Sequence, residues 1–275
     1  MVKCEDKSED KKKIKGKCED EKMQICIRDK EVGHIYELYH TRSNIHHKAC
    51  QHKVVSAIDT MIVDAFLLAD ETLNISDSVL DATKYRTLTD SIYQIILHYE
   101  KIEGENEMPP DMKTALEILK RIESRDLYQC IYISRLMDVI PGKETQKRKR
   151  EGEDELEHEL EKAYKEFIQS KQPHPQQEKE YEFAVRIINL ASGKKGEDPI
   201  KHVKFYSKQD PCTAKKLERK EVSQLLPNVF SETVLHIFWK NSEMRDNVQN
   251  FRDDSGFKEK ITEWCGKNQY EMLSV

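Results

Sequence analysis

One segment of the chain concentrates the side chains that could do chemistry. Residues 40–53 read HTRSNIHHKACQHK and hold four histidines, one cysteine, one arginine and two lysines. On a helix, Arg42 lies one turn before His46, and His46 lies one turn before Cys50, so the three share a face. From the residues alone, three interpretations stand: a metal site, a polyphosphate-binding site, or a solvated polar helix face.

The residue types favour polyphosphate over metal. A zinc site needs four ligands, of which one helix face offers two, and the sequence has no second paired Cys/His cluster to supply the others. An arginine fork with histidine or lysine donors beside it suits phosphate oxygens. Motifs of other chemistries are missing from the sequence, which has no Gly-rich phosphate loop, no GxSxG, no HExxH and no His-Asp dipeptide.

Composition excludes several classes of protein. Charged residues make up 35% of the chain and the net charge is −5, so no global field favours nucleic acid or an anionic membrane. The longest nearly apolar run, 61–69, is far short of the roughly 20 residues that span a bilayer. The N-terminus lacks the apolar region of a signal peptide. Seven scattered cysteines without a CxxC pair indicate free thiols in a reducing compartment, so we expect an intracellular protein of the nucleus or cytoplasm.

Hydrophobic periodicity predicts a mainly α fold with a small α+β lobe. A charged, disordered lead-in over 1–23 precedes a helical region over 24–140. This region contains a helix around Met61 that is expected to be buried nearly all round, and a helix whose start is signalled by Pro109-Pro110-Asp111. A charged linker over 141–180 includes one amphipathic helix, and we expect 1–22 and 142–178 to be mobile. A strand is predicted at 127–133, near the end of the helical region. The lobe over 181–275 is predicted to contain strands at 182–190, 202–208 and 233–239, and helices at 218–230 and 256–265.

Longer segments then resemble one family. QICIRDKEVGHIYELYHTRSNIHHKACQHKVVSAIDTMIVDAF, TLTDSIYQIIL, EILKRIESRDLY, DPIKHVKFYSK and EVSQLLPNVF occur in this order, and the likeness covers roughly 18–268. Together they resemble the SAM-and-HD-domain deoxynucleoside triphosphate triphosphohydrolases. The resemblance implies the back half of an HD-type helical domain followed by a regulatory lobe. It also implies cleavage of dNTPs to a deoxynucleoside and tripolyphosphate, GTP and dNTPs with Mg²⁺ as allosteric ligands, and assembly into tetramers.

The resemblance assigns roles to individual residues. It places Arg42, His46, Gln51 and Cys50 at the substrate, with Cys50 standing where the family has a tyrosine against the sugar. It assigns allosteric nucleotide binding to eight residues: Arg28, Lys30, Lys48, His52, Lys53, Val54, Arg125 and Lys208. Cys18 and Cys26 lie near cysteines linked to redox control, whereas Ser207 replaces a third such cysteine and Gln129 replaces a basic residue.

The metal half of the family pattern does not occur in this sequence. In the family, a SAM domain and the His/His-Asp/Asp metal ligands precede the region that this chain resembles. The resemblance therefore implies a catalytic transition metal whose ligands this chain lacks, and we expect the chain alone to be inactive. Our leading hypothesis is a partial or divergent dNTP triphosphohydrolase. The alternatives are a non-enzymatic regulator that assembles with a full-length homologue, and a protein that binds single-stranded nucleic acid.

Overall fold

The computed structural model describes most of the chain and divides it into two units. The first unit comprises Met1–Cys50 and Asn189–Glu232, and the second comprises Gln51–Ile188 and Thr233–Val275. The described residues are 2–3, 23–103, 108–138, 154–162, 166, 183–191, 197–223, 226–241, 245–268 and 270–273.

The first unit is built on one helix and two short strand pairs. Its elements in chain order are β1 (Val2–Lys3), β2 (Met23–Gln24), β3 (Ile27–Arg28), a 3-10 turn (Asp29–Glu31), α1 (Val32–Ile45), a π-helical turn (His46–Cys50), a second 3-10 turn (Pro199–His202), β6 (Phe205–Tyr206) and α9 (Arg219–Val222). β1 pairs antiparallel with β2, and β3 pairs parallel with β6. Ile35, Ile200 and Phe205 form the buried centre, so α1 packs on the 3-10 turn and β6.

Most of the helices belong to the second unit. They are α2 (Lys53–Leu73), α3 (Ile75–Val79), α4 (Ala82–Tyr85), α5 (Ser91–Leu97), α6 (Tyr99–Glu103) and α7 (Pro110–Glu123). Ala57, Met61, Ala65 and Ala69 recur every four residues along α2 and are buried, which gives the helix a narrow stripe of mostly small side chains. This stripe lets α7 approach closely, and the two helices share one core cluster.

A four-stranded sheet completes the second unit. Its strands β4 (Gln129–Asp138), β5 (Phe183–Ala191), β7 (Ser231–Trp239) and β8 (Tyr270–Leu273) have the order β5-β7-β4-β8. β4 runs antiparallel to β7 and β8, with a bulge between Cys130 and Tyr132. A helix over 154–162 (α8), α10 (Arg245–Asp253) and α11 (Ser255–Lys267) contribute side chains to the sheet's core, which includes Leu156, Leu160, Trp239, Phe257 and Trp264.

The predicted fold class is confirmed: the chain is mainly α with a small α+β part. The helix predicted to begin at Pro110 does so, with Pro109 as its N-cap residue, and the strands predicted at 182–190 and 233–239 are present as β5 and β7. No helix among the described residues is long and apolar enough to cross a membrane.

Two element predictions are wrong in extent. The strand predicted over 202–208 shrinks to Phe205–Tyr206, because the preceding residues form a 3-10 turn capped by the Asp198 carboxylate. The helix predicted over 218–230 is the single turn Arg219–Val222, and Ser223 is already extended. The Arg219 guanidinium donates to the Leu226 carbonyl at 2.6 Å and also contacts Pro227, so this side chain organises the loop that follows.

Several predictions concern segments with few described residues. Residues 4–22 of the lead-in and 142–153 and 167–178 of the linker lie outside the described residues, so the predicted mobility of those stretches stays a prediction. Within the linker, 154–162 form the amphipathic helix that the sequence predicts, with Leu156 and Leu160 buried. Ala163 and Phe167, which were expected on the same face, lie outside the described residues.

Candidate functional site

The first unit brings three predicted basic residues to one edge of a strand pair. In the parallel register, Ile27 lies opposite Phe205 and Arg28 opposite Tyr206. Arg28 is the last residue of β3, Lys30 follows it in the 3-10 turn, and Lys208 comes two residues after β6. Because the carboxyl ends of parallel strands meet at the same edge, all three cations leave the strand pair on the same side.

Carboxylates at this edge neutralise it only in part. Lys30 Nζ lies 3.2 Å from a Glu31 carboxylate oxygen, whereas no ion pair joins Arg28 or Lys208 to another of the described residues. The edge therefore keeps positive charge that an anion can use.

Lys215 is a further cation at this edge that the sequence did not indicate. It exchanges two backbone hydrogen bonds with Phe205, at 2.8 and 2.7 Å, and so flanks β6 as a one-residue antiparallel bridge. Its ammonium group lies 3.3 Å from a carboxylate oxygen of Asp29. No sequence motif predicts this position, because the local sequence around Lys215 resembles that of a loop and does not indicate a bridge to Phe205.

Arg42, His46 and Cys50 lie in the same unit, where α1 passes into the π-helical turn. The exposed Arg42 guanidinium donates one hydrogen bond, at 2.9 Å, to the carbonyl of Ala191. Since a guanidinium carries five N–H donors, this bond orients the group and leaves others for a ligand. His46 is half-buried, and Lys48 and Cys50 are exposed. The α-helical spacing expected from His46 to Cys50 is wrong in detail, because a π-helical turn is wider than an α-helical one.

The second unit holds the next four predicted residues at the N-terminus of α2. Gln51 is half-buried, and His52 is the N-cap residue, whose ring Nδ1 accepts the Val54 N–H at 3.3 Å. Lys53 is exposed as the first residue of the helix. A helix N-terminus carries partial positive charge, so α2 adds to the attraction that Lys53 exerts on anions. His52 therefore has a capping role that residue type alone does not reveal.

Arg125 belongs to the second unit and has an unusual backbone. It follows α7 with a φ of 63°, in the left-handed region, and its N–H donates to the Ile122 carbonyl at 3.1 Å. A non-glycine residue in this region costs about 1–2 kcal/mol. Its side chain is exposed, whereas the nearby Arg121 is engaged by Asp126 at 3.0 Å and by the Lys240 carbonyl at 2.9 Å.

The described residues give little information on the predicted roles of the cysteines and of a metal ion. Cys26 is half-buried and Cys18 lies outside the described residues, so the redox role of these two cysteines stays a prediction. Within the described ranges, no three His, Cys, Asp or Glu side chains converge in a way that would hold a metal ion.

Several proteins with similar sequences are deoxynucleoside triphosphate triphosphohydrolases named SAMHD1. No family model matches the chain. The chain is 33% identical to the human deoxynucleoside triphosphate triphosphohydrolase SAMHD1 over 264 residues, which cover 92% of this chain and 38% of the relative. The Xenopus laevis protein of that name is 36% identical over 238 residues, covering 81% and 34%. The Dictyostelium discoideum SAMHD1 homolog is 30% identical over 226 residues, covering 82% and 39%. The chain thus spans roughly two fifths of the length of these curated relatives.

Proposed function

We propose that this chain, which belongs to the SAMHD1-like family of HD-domain proteins, binds nucleoside triphosphates through basic residues in each of its two units. The ligands are GTP and dNTPs accompanied by Mg²⁺. The observation that carries the proposal is the convergence of Arg28, Lys30 and Lys208 at one edge of the β3–β6 pair. These residues come from opposite ends of the chain.

The chemistry of this edge suits a triphosphate. A guanidinium offers paired N–H donors to phosphate oxygens, and ammonium groups act as point charges beside it. Mg²⁺ binds through phosphate oxygens and keeps several of its waters, so it needs few protein ligands. Arg28 is half-buried, whereas Lys30 and Lys208 are exposed and can adjust to the ligand.

A second group of basic residues supports the same function in the second unit. Lys53 stands at the N-terminus of α2, where the helix dipole adds to its charge. Arg125 is held in a strained backbone conformation that places an exposed cation at the end of α7. Backbone strain of this kind often occurs at functional sites. We assign both residues to nucleotide phosphate binding.

Arg42 and His46 are our candidates for contacts to the substrate. The Arg42 guanidinium is oriented by its bond to Ala191 and still has free N–H groups for a phosphate oxygen. In the proposed reaction, a dNTP gives a deoxynucleoside and tripolyphosphate, and these two side chains position and neutralise the phosphates. The water that attacks phosphorus requires activation by a metal. We therefore assign Arg42 and His46 to binding and positioning of the phosphates.

Titration with a fluorescent GTP analogue in the presence of Mg²⁺ tests the proposal. The double variant Arg28→Glu/Lys208→Glu should bind at least about tenfold more weakly, because it reverses two charges that face the phosphates. Lys220→Glu is the matched control, since this exposed lysine of the same unit is already paired with Glu218 at 2.7 Å. If the double variant and the control bind equally well, the strand edge is not the binding site.

A further inference from the structure

The C-terminus of α7 is closed by a Schellman motif that has an arginine where glycine usually stands. The Asp126 N–H donates to the Arg121 carbonyl at 2.9 Å, and the Arg125 N–H donates to the Ile122 carbonyl at 3.1 Å. This pair of bonds requires a left-handed backbone at the residue after the C-cap Ser124. Because that conformation disfavours every residue with a β-carbon, surrounding contacts must hold Arg125 in it.

An ion pair supplies the first of these contacts. A Schellman motif often joins the third residue before its C-cap to the second residue after it by an apolar contact, and here Arg121 and Asp126 occupy these positions. The Arg121 Nε–H donates to an Asp126 carboxylate oxygen at 3.0 Å, and the two side chains are 27% and 33% exposed. The pair spans the turn that contains Arg125. Since it is largely buried, salt screens it less than an exposed pair.

The same guanidinium connects the turn to the interior of the second unit. Its second bond goes to the Lys240 carbonyl at 2.9 Å, just after β7, and its central carbon lies 5.3 Å from the centre of the Tyr128 ring. Tyr128 is buried, and its hydroxyl donates to the Asp64 carboxylate of α2 at 2.8 Å. The Lys240 ammonium lies 2.9 Å from that carboxylate. The turn is thereby fixed to α2 and to the end of β7.

We propose that Arg121 and Asp126 are positioning residues for Arg125: their ion pair keeps the left-handed turn in place and so holds the exposed Arg125 cation where it meets a nucleotide phosphate. The inference rests on the proposed function, because it takes Arg125 to be a phosphate contact. A cation that is already held in its binding position loses less conformational freedom when the ligand arrives, and this raises affinity.

Substitutions of Asp126 separate positioning from simple electrostatics in a titration with a fluorescent GTP analogue and Mg²⁺. Removal of a carboxylate near the phosphates should by charge alone tighten binding, whereas positioning predicts the reverse. Asp126→Ala should bind about fivefold more weakly. Asp126→Asn loses the same charge but keeps an oxygen that accepts the Arg121 Nε–H, so it should bind at least as tightly as the wild type. Glu123→Ala is the control, since it removes an exposed carboxylate from the last turn of α7 and leaves the ion pair intact.

A second variant changes the other member of the pair. Arg121→Lys keeps the positive charge, but one ammonium group cannot reproduce both bonds of the planar fork, so binding should weaken about threefold. Arg125→Ala should itself bind about tenfold more weakly. In that background, neither Arg121→Lys nor Asp126→Ala should cause a further loss. Circular dichroism checks that each variant is folded, and Arg121→Lys carries the test if Asp126→Ala is not.

The outcomes distinguish this inference from the proposed function. If Arg125→Ala weakens binding but Asp126→Ala and Arg121→Lys do not, positioning is refuted and the proposed function stands. Positioning is also refuted if Asp126→Asn loses as much affinity as Asp126→Ala, or if the losses add in full to that of Arg125→Ala. If Arg125→Ala binds like the wild type, Arg125 is not a phosphate contact, and the inference fails together with that part of the proposed function.

Discussion

At the scale of single residues, Asp198 links α1 to the segment that leads into β6. Its carboxylate is buried and accepts the Tyr36 hydroxyl at 2.9 and 3.0 Å, as well as the Ile200 N–H at 3.1 Å. Burial raises the pKa of Tyr36, and the hydrogen bond to Asp198 adds to that effect. Both effects keep the phenol protonated above the pH at which a free tyrosine ionises, so it remains a donor to Asp198. This bond holds α1 against the 3-10 turn that precedes β6.

Removing the Tyr36 hydroxyl should destabilise the protein. Tyr36→Phe leaves the buried Asp198 carboxylate without its main side-chain donor, and the free energy of unfolding should fall by about 1–3 kcal/mol. Urea denaturation followed by circular dichroism measures this change. Tyr85→Phe is the control, because Tyr85 is 59% exposed and its substitution should have no measurable effect. Equal stability of the two variants would show that the Tyr36–Asp198 bond is unimportant.

Two substitutions of Arg125 separate the effect of its charge on nucleotide binding from the effect of its backbone strain on stability. Arg125→Ala and Arg125→Gly both remove the cation, so both should weaken binding of a GTP analogue by a similar factor. They differ in stability, because glycine adopts the left-handed conformation with a φ of 63° without steric cost. We expect Arg125→Gly to be more stable than Arg125→Ala by about 1 kcal/mol in thermal or urea unfolding. Different affinities with equal stabilities would contradict this assignment.

At the scale of elements, the packing of α2 on α7 is the main source of order in the helical part of the second unit. Both helices place their buried residues at helical spacing, and these residues belong to one core cluster. The alanines of α2 bring the helix axes close together, and the larger Met112 and Leu119 of α7 fill the space opposite them.

Truncation of a core residue of α7 should therefore lower the free energy of unfolding considerably. Leu119 is fully buried, and Leu119→Ala should lower the free energy of unfolding by about 2–5 kcal/mol, since a cavity remains. Leu67→Ala provides the comparison, because Leu67 is 67% exposed on α2 and its truncation should change stability by no more than about 0.5 kcal/mol. Chemical denaturation of both variants measures these changes in the free energy of unfolding. A small effect at Leu119 would mean that the α2–α7 contact contributes little.

At the scale of the whole molecule, positive charge is local. The net charge is −5, yet basic residues gather at the β3–β6 edge of one unit and at the start of α2 in the other. Local sites of this kind bind small anions, whereas a long polyanion such as nucleic acid requires an extended basic surface. Among the described residues, this distribution supports the proposal that the ligands are nucleotides.

The 275-residue chain alone should release no tripolyphosphate from dGTP in the presence of Mg²⁺, Mn²⁺ or Fe²⁺. The reaction that the family resemblance implies needs a metal-bound water as nucleophile, and this sequence contains no His-Asp dipeptide of the kind that holds the metal in the family. Anion-exchange chromatography of the reaction products measures the release. Tripolyphosphate formation that Arg42→Ala abolishes would show that the chain supplies a complete active site.

The sequence by itself determined those parts of the molecule whose information is local. The buried stripe of α7, the Pro110 start of that helix and the apolar runs of β5 and β7 are encoded in consecutive residues, because a helix or strand repeats over a few positions. The prediction that α2 is buried nearly all round is wrong, since Val63 and Leu67 are 45% and 67% exposed. The phosphate-binding candidates were also predicted from residue type and family resemblance. The length of the helix predicted at 218–230 was overestimated, and only Arg219–Val222 is helical. Hydrophobic periodicity does not show that the Arg219 side chain binds the loop that follows.

Only the tertiary structure decided which distant residues meet. β3 pairs with β6, Lys215 bridges to Phe205, and Glu157 reaches Val185, although nothing in their local sequences specifies a partner. Such contacts depend on closing long loops around a common core, so their selection is a property of the whole fold and not of a short window. Protonation also depends on the tertiary structure. The pKa of the Glu157 carboxyl is raised because folding buries this group and brings the carboxylates of Asp154 and Asp64 near it.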